Sequence, residues 1–219
     1  MEQVERKQRF PLATARGPPF YPDAGNSGLA FSGAWHGVAA ANFLSFSIFP
    51  DVKAHELYNA VDPAVVTQML SWFRDNDRNV YRSALSTLAQ SKKLRLEFVQ
   101  KKSVPEQYAW VLKTLRSKQA DTIGEHLLQA WFMAGNQPML AAFCDALGIE
   151  HDGKGSVHGD LPETIVAAKL DAAVDTLVAS YDPKVVALYL YVFNLQTPEG
   201  WESLTAKLAS DPRLKLGAE

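Results

Sequence analysis

Asp62-Pro63-Ala64-Val65-Val66 and Asp182-Pro183-Lys184-Val185-Val186 are two copies of one pattern, and each predicts the start of a helix. Asp supplies a side-chain oxygen that caps a helix, and Pro fits the first helical position because its missing N–H would have no partner there. In each copy a leucine follows four residues after the last valine and a phenylalanine three residues later, so one apolar stripe continues along the helix. This pattern indicates a helical fold.

Helical periodicity extends over the chain from residue 51 onward, and the two-residue alternation of strands is hard to find. Short polar links between the periodic segments favour antiparallel neighbours. The sequence therefore predicts an all-α domain, either an irregular antiparallel helical bundle or a short helical array. The predicted helices cover 54–61, 63–75, 79–91, a short segment at 94–99, one starting at 103–106, one capped by Asp121, one from Asn136 to Gly148, and then 162–180, 183–193 and 198–209.

The repeated Asp-Pro start, with paired helices on both sides, resembles α-helical repeat proteins of the HEAT or tetratricopeptide kind in a general way. The two copies lie 120 positions apart (182 minus 62). No fixed period joins them, and an irregular bundle explains the same pattern. The resemblance implies helix pairing and carries over no functional residues.

Composition narrows the class of protein. The chain has 219 residues, of which 47% are hydrophobic and 21% charged, as in ordinary soluble globular proteins. Its net charge of −2 gives no sign of a nucleic-acid-binding surface, so we expect no nucleic-acid partner. The single cysteine, Cys144, excludes an internal disulfide and favours a reducing compartment, the cytoplasm.

The first fifty residues differ from the rest, because they contain five of the 13 glycines and five of the 12 prolines. We predict a weakly ordered N-terminal segment, 1–50, before the helical domain at 51–219. Residues 28–49 are apolar enough to suggest export or anchoring as an alternative, but polar residues and glycines interrupt them, so we do not expect membrane association. Farther along, the glycine-rich loop 149–161 predicts a division into 51–148 and 162–219.

The same loop holds the residues most suited to metal chemistry, His151, Asp152, His158 and Asp160. Imidazole nitrogens and carboxylates are ligands that zinc or manganese accepts, so these four are the candidate site for a divalent metal. No other cofactor is predicted. The alternative interpretation is a solvated connector, since no pair has the helical spacing of known His-rich motifs. Asp-Gly-Lys-Gly-Ser at 152–156 also lacks the spacing of a phosphate-binding loop.

Other reactive side chains lack partners in the sequence. His55-Glu56 and Glu125-His126 each offer an acid–base pair without a visible third member, so no catalytic residue is predicted. Cys144 lies among Leu140, Phe143 and Leu147, where a small buried residue is expected rather than a nucleophile.

Two function classes follow from these patterns. The first is a protein-interaction or scaffolding module with a protein partner; Trp110 lies off the main apolar stripe of its helix and is the candidate contact residue. The basic clusters at 92–95 and 101–102 are interpreted as a solvated edge. The second is a metal-assisted hydrolase or small-ligand binder organised around His151–Asp160.

Overall fold

The computed structural model of the chain describes residues 53–157, 159–194, 197 and 201–217. The predictions for 1–50, including the apolar run 28–49, and for His158 lie outside the described residues. Within them the fold is an all-α bundle, as predicted, without a β-strand. The helices are α1 (Ala54–Ala60), α2 (Pro63–Asn76), α3 (Arg78–Ser91), α4 (Leu96–Gln100), α5 (Val104–Leu115), α6 (Asp121–Gly135), α7 (Gln137–Leu147), α8 (Ala167–Ser180), α9 (Pro183–Asn194) and α10 (Glu202–Ser210), with 3-10 turns at Lys118–Ala120 and Pro212–Leu214.

The two Asp-Pro copies start helices in the way the sequence predicts. Asp62 Oδ1 accepts a hydrogen bond from the backbone N–H of Ala64 at 2.8 Å, and Asp182 Oδ1 accepts one from Lys184 at 2.9 Å. The prolines occupy the first helical positions of α2 and α9. Each start therefore has the local cap that its sequence predicts.

Helix α9 lies at the centre of the core. Every side chain from Val185 to Leu190 is buried, and so is Phe193, which confirms the prediction from its uniformly apolar sequence. The core is one cluster that extends from α1 to Leu216, and α7 packs against α8 across the loop 149–161. No described helix is both long and apolar enough to cross a membrane.

The two copies of the Asp-Pro pattern also meet in space. The Lys184 ammonium, at the start of α9, forms an ion pair with the Asp62 carboxylate, at the start of α2. The hydrogen bond from Lys184, together with one from the Ala64 backbone, holds the pKa of Asp62 below its usual value. The Asp62 backbone N–H donates to the Leu216 carbonyl at 2.8 Å. The segment after α10 therefore closes against the beginning of the bundle.

Three predicted helix starts were wrong, among them the one at residue 198, because Trp201 is extended and α10 begins at Glu202. The helix expected from residue 162 begins at Ala167, because the Pro162 carbonyl accepts a hydrogen bond from the Trp201 indole at 2.8 Å and Val166 is extended. Asp121 does not cap α6 but is its first residue. Its carboxylate instead accepts the backbone N–H of His55 at 2.8 Å.

Candidate functional site

The glycine-rich loop (residues 149–161) is a compact turn whose described polar groups bond largely to one another. The Asp152 carboxylate accepts the backbone N–H groups of Lys154 and Ser156 at 2.8 and 3.0 Å. The Asp152 N–H donates to the Ser156 carbonyl at 3.0 Å, and His151 and Val157 form a short antiparallel bridge. One Asp152 oxygen is thus committed to shaping the turn.

His151 closes this loop with both ring nitrogens. Its Nδ1 accepts the backbone N–H groups of Gly153 and Gly155 at 3.1 and 3.2 Å. Two donors at Nδ1 require the ring proton to lie on Nε2, which donates to the Asp145 carboxylate at 3.0 Å. A metal bound by His151 would have to replace one of these contacts.

Gly155 attaches the loop to α7. It has a φ of +86°, and a Cβ there would lie 2.2 Å from Leu140 Cβ and 2.7 Å from the Ala141 nitrogen, so only glycine fits. The Cys144 thiol lies 3.9 Å from the Gly155 carbonyl oxygen beneath the loop. Burial raises the pKa of Cys144 to about 11, which disfavours the thiolate. The structure confirms that Cys144 is a buried core residue.

The four candidate metal ligands are only partly described. Within the described ranges, no group of three or more His, Cys, Asp or Glu side chains is arranged to hold a metal ion. His151 and Asp152 shape the turn, and Asp160 is exposed. Because His158 lies outside these ranges, the metal site stays a prediction.

A cavity opens between the loop and the bundle. Its volume is about 80 Å³, and its lining comes from α6, α7, α9 and the loop. Most of the lining is apolar, while the polar side chains are those of Gln129 and Tyr189. The described lining residues are Gln129, Phe132, Met133, Leu140, Gly155, Val157, Gly159, Leu161, Tyr189, Val192 and Phe193.

His55 has a carboxylate partner that the sequence did not reveal. Its Nδ1 lies 2.9 Å from Asp121 Oδ1, and the same oxygen accepts the His55 backbone N–H. This double contact ties α1 to α6 and fixes the orientation of the ring. The two residues lie 66 positions apart, so no local pattern signals the pair.

A basic surface (residues 92–102) connects α3 to α5 through α4. Val99 is fully buried and anchors α4, whereas Phe98 is 55% exposed and Leu94 is 36% exposed. The Lys102 ammonium lies 5.0 Å from the centroid of the Phe98 ring. Phe98 on α4 and Leu94 just before α4 are therefore exposed among lysine and arginine residues, and Val99 holds α4 to the core.

The backbone of this surface is strained at Lys93, which has a φ of +54°. The Lys93 N–H donates to the Gln90 carbonyl and the Leu94 N–H to the Ala89 carbonyl, both at 2.9 Å. These two bonds form a Schellman motif, in which the left-handed position is normally glycine. A lysine there places one more cation beside Leu94 at a conformational cost.

The predicted contact residue, Trp110, is half-buried and packs against the core. Its role in partner binding stays a prediction. Phe98 was missed because the basic clusters at 92–95 and 101–102, which flank it, were interpreted as a solvated edge. One signal was present: a five-residue helix between charged clusters buries only one side, so Phe98 and Val99 cannot both point inward.

The chain matches no protein-family model, no curated protein and no solved structure.

Proposed function

We propose that this protein is a non-enzymatic helical interaction module, and that its basic surface binds an acidic, partly apolar segment of a partner protein. The observation that carries the proposal is the exposure of Phe98 and Leu94, large apolar side chains that a soluble domain tends to bury. Aromatic residues at such positions are frequent anchors of protein interfaces.

Charge indicates the chemistry of the partner. Residues 92–102 contain five Lys or Arg side chains and one Glu, whereas the whole chain has a net charge of −2. This local excess of positive charge attracts acidic segments and raises their rate of association. An apolar side chain of the partner would lie against Phe98 and Leu94, and its carboxylates would face Lys93, Arg95 and Lys101.

Protein is favoured over other anionic partners. Membrane binding increases with the apolar area that is inserted, and α4 offers only five residues. Stacking of nucleic-acid bases needs accessible aromatic faces, and Lys102 lies over one face of the Phe98 ring. The single buried thiol supports placing this interaction in a reducing compartment such as the cytoplasm.

Site-specific photo-crosslinking in the native host tests the proposal. A benzophenone amino acid replaces Phe98 in the full-length chain, and a matched chain carries it at Val166, which is also exposed, at 64%, but lies on the segment before α8. We expect position 98 to cross-link one protein through an acidic peptide and position 166 not to do so. The double substitution Lys101→Glu, Lys102→Glu should abolish that product.

Three results would overturn the proposal. Position 98 could give no more product than position 166, the product could survive charge reversal, or the label could be found on lipid or nucleic acid. Each of these would show that the basic surface does not bind an acidic protein segment.

A further inference from the structure

Tyr189 is a buried polar residue beside the cavity. It is 5% exposed, and its ring packs against Phe132, Phe143 and Phe193 at centroid distances of 5.5, 5.5 and 5.9 Å. These contacts fix the ring, and therefore the position of its hydroxyl. Burial raises the pKa of Tyr189 well above its usual value, so the hydroxyl stays a neutral donor.

Tyr189 contributes to the lining of the cavity. In the described part of the chain, every fully buried side-chain nitrogen or oxygen has a hydrogen-bond partner. The Tyr189 hydroxyl has no such partner among the described residues, and burial is the main cause of its raised pKa. Its oxygen must therefore keep access to open space, and the cavity is the space that Tyr189 lines. A donor left in an apolar cavity is costly unless it is paired.

The lining limits the chemistry of a ligand. The described lining residues include no charged side chain, and the Gln129 amide is the second polar side chain beside Tyr189. Among these described residues, a charged ligand would find no counter-ion to compensate for its lost hydration. The aromatic side chains of Phe132 and Phe193 favour a ring that is stacked or packed edge to face.

The volume of the cavity limits the size of a ligand. An apolar cavity of about 150 Å³ holds benzene, whereas this cavity of about 80 Å³ is smaller and partly open, so a ligand of that size would lie only partly inside it. The ligand is therefore no larger than a single six-membered ring with one substituent.

We infer that this cavity is a binding site for a small, neutral, single-ring molecule that carries one oxygen, which pairs with the Tyr189 hydroxyl. Gln129 provides a second hydrogen bond when the ligand oxygen also carries a proton. This activity is separate from the basic surface, because it uses α6, α9 and the glycine-rich loop.

Methionine-methyl NMR on the full-length protein tests the inference with phenol and toluene, which have seven non-hydrogen atoms each and differ in the oxygen. Met133 lines the cavity, whereas Met69 and Met139 are buried elsewhere in the core and serve as internal controls. We expect both compounds to shift the Met133 methyl signal in a saturable manner and to leave that of Met69 unchanged.

The variant Tyr189→Phe keeps the ring and removes only the hydroxyl. We expect it to weaken phenol binding about fivefold and to leave toluene binding unchanged, because one hydrogen bond is lost. A second variant, Val192→Phe, should fill the cavity and abolish the binding of both compounds.

The inference fails if neither compound shifts Met133 in the wild-type protein, or if Met69 shifts equally, which would show non-specific binding. It also fails if the ratio of the phenol and toluene dissociation constants is the same in wild type and Tyr189→Phe. That comparison stands even where Val192→Phe does not fold.

Discussion

The glycine-rich loop and the basic surface differ in how far their candidate residues are engaged by the fold itself. The loop has the histidines and aspartates that suggest chemistry, yet His151 and Asp152 bond to the loop's own backbone and to Asp145. The basic surface has the composition of an ordinary solvated edge, yet it holds Phe98 outward on a helix fixed to the core. In the loop, the hydrogen bonds of His151 and Asp152 shape the turn, whereas Phe98 leaves more than half of its surface exposed to a partner.

The largest change in the free energy of unfolding should come from substitution of Gly155, where the loop packs against α7. Gly155→Ala would place a methyl group against Leu140 and force a left-handed backbone, at a cost of about 2–5 kcal/mol of unfolding free energy. Gly153 is the matched control, since its φ is also positive, at +81°, but no atom lies within 4 Å of the added carbon. Urea unfolding should show a loss of only about 1–2 kcal/mol for Gly153→Ala. Equal losses would show that the loop is not docked on α7.

The next largest change in stability tests whether His151 has a structural role or binds a metal ion. His151→Ala removes the acceptor of the Gly153 and Gly155 N–H groups and should lower the unfolding free energy by about 1–3 kcal/mol. Lys154→Ala, an exposed change in the same loop, should stay within about 0.5 kcal/mol. If His151→Ala left stability unchanged but removed a metal ion detected by native mass spectrometry, the metal-site prediction would replace the structural role.

On the basic surface, the substitution Lys93→Gly should stabilise the fold and weaken binding of the proposed partner. Lys93→Gly relieves the left-handed strain and should raise the unfolding free energy by about 1 kcal/mol. Lys92→Gly is the control, because Lys92 has a negative φ, −98°, and gains no such relief. Thermal unfolding measures the first effect, and the yield of the Phe98 cross-link measures the second. A Lys93→Gly protein less stable than wild type would contradict the assignment of strain.

The smallest change in stability should come from Phe98, the proposed anchor of partner binding. Phe98→Ala should alter the unfolding free energy by no more than about 0.5 kcal/mol, because the ring is mostly in solvent. Its neighbour Val99 is fully buried, and Val99→Ala should cost about 1–3 kcal/mol. Chemical denaturation of both variants measures these two changes in unfolding free energy. A large loss for Phe98→Ala would mean that the ring supports the fold rather than a partner.

Much of the fold could be predicted, because helix starts are local. Asp62, Asp182 and Ser103 with Glu106 all act on backbone groups within four residues, and these signals were present in the sequence. The contacts that define the candidate sites are not local. Asp121 reaches His55 across 66 positions, and Trp201 holds Pro162 across 39.

Tyr189 shows why the cavity could not be predicted. Its sequence, within a uniformly apolar helix, indicates only that the residue is buried. That its hydroxyl opens on a cavity depends on how α6 and the glycine-rich loop pack around α9, and periodicity holds no information on such packing. Gly155 could not be predicted for the same reason, because only its packing against α7 shows that a Cβ would not fit there.

The closure of the bundle at Asp62 has a consequence for the way the protein is made. The backbone N–H of Asp62 is paired only when the Leu216 carbonyl arrives, 154 residues later (216 minus 62). At ordinary rates of translation this is a delay of roughly 8–30 s after Asp62 has been synthesised. During that interval the ribosome carries a chain in which α2 already has its own cap. Lys184 is missing for part of this time and Leu216 for all of it. The bundle is therefore completed only after Leu216 has been synthesised, when the segment after α10 reaches the start of α2.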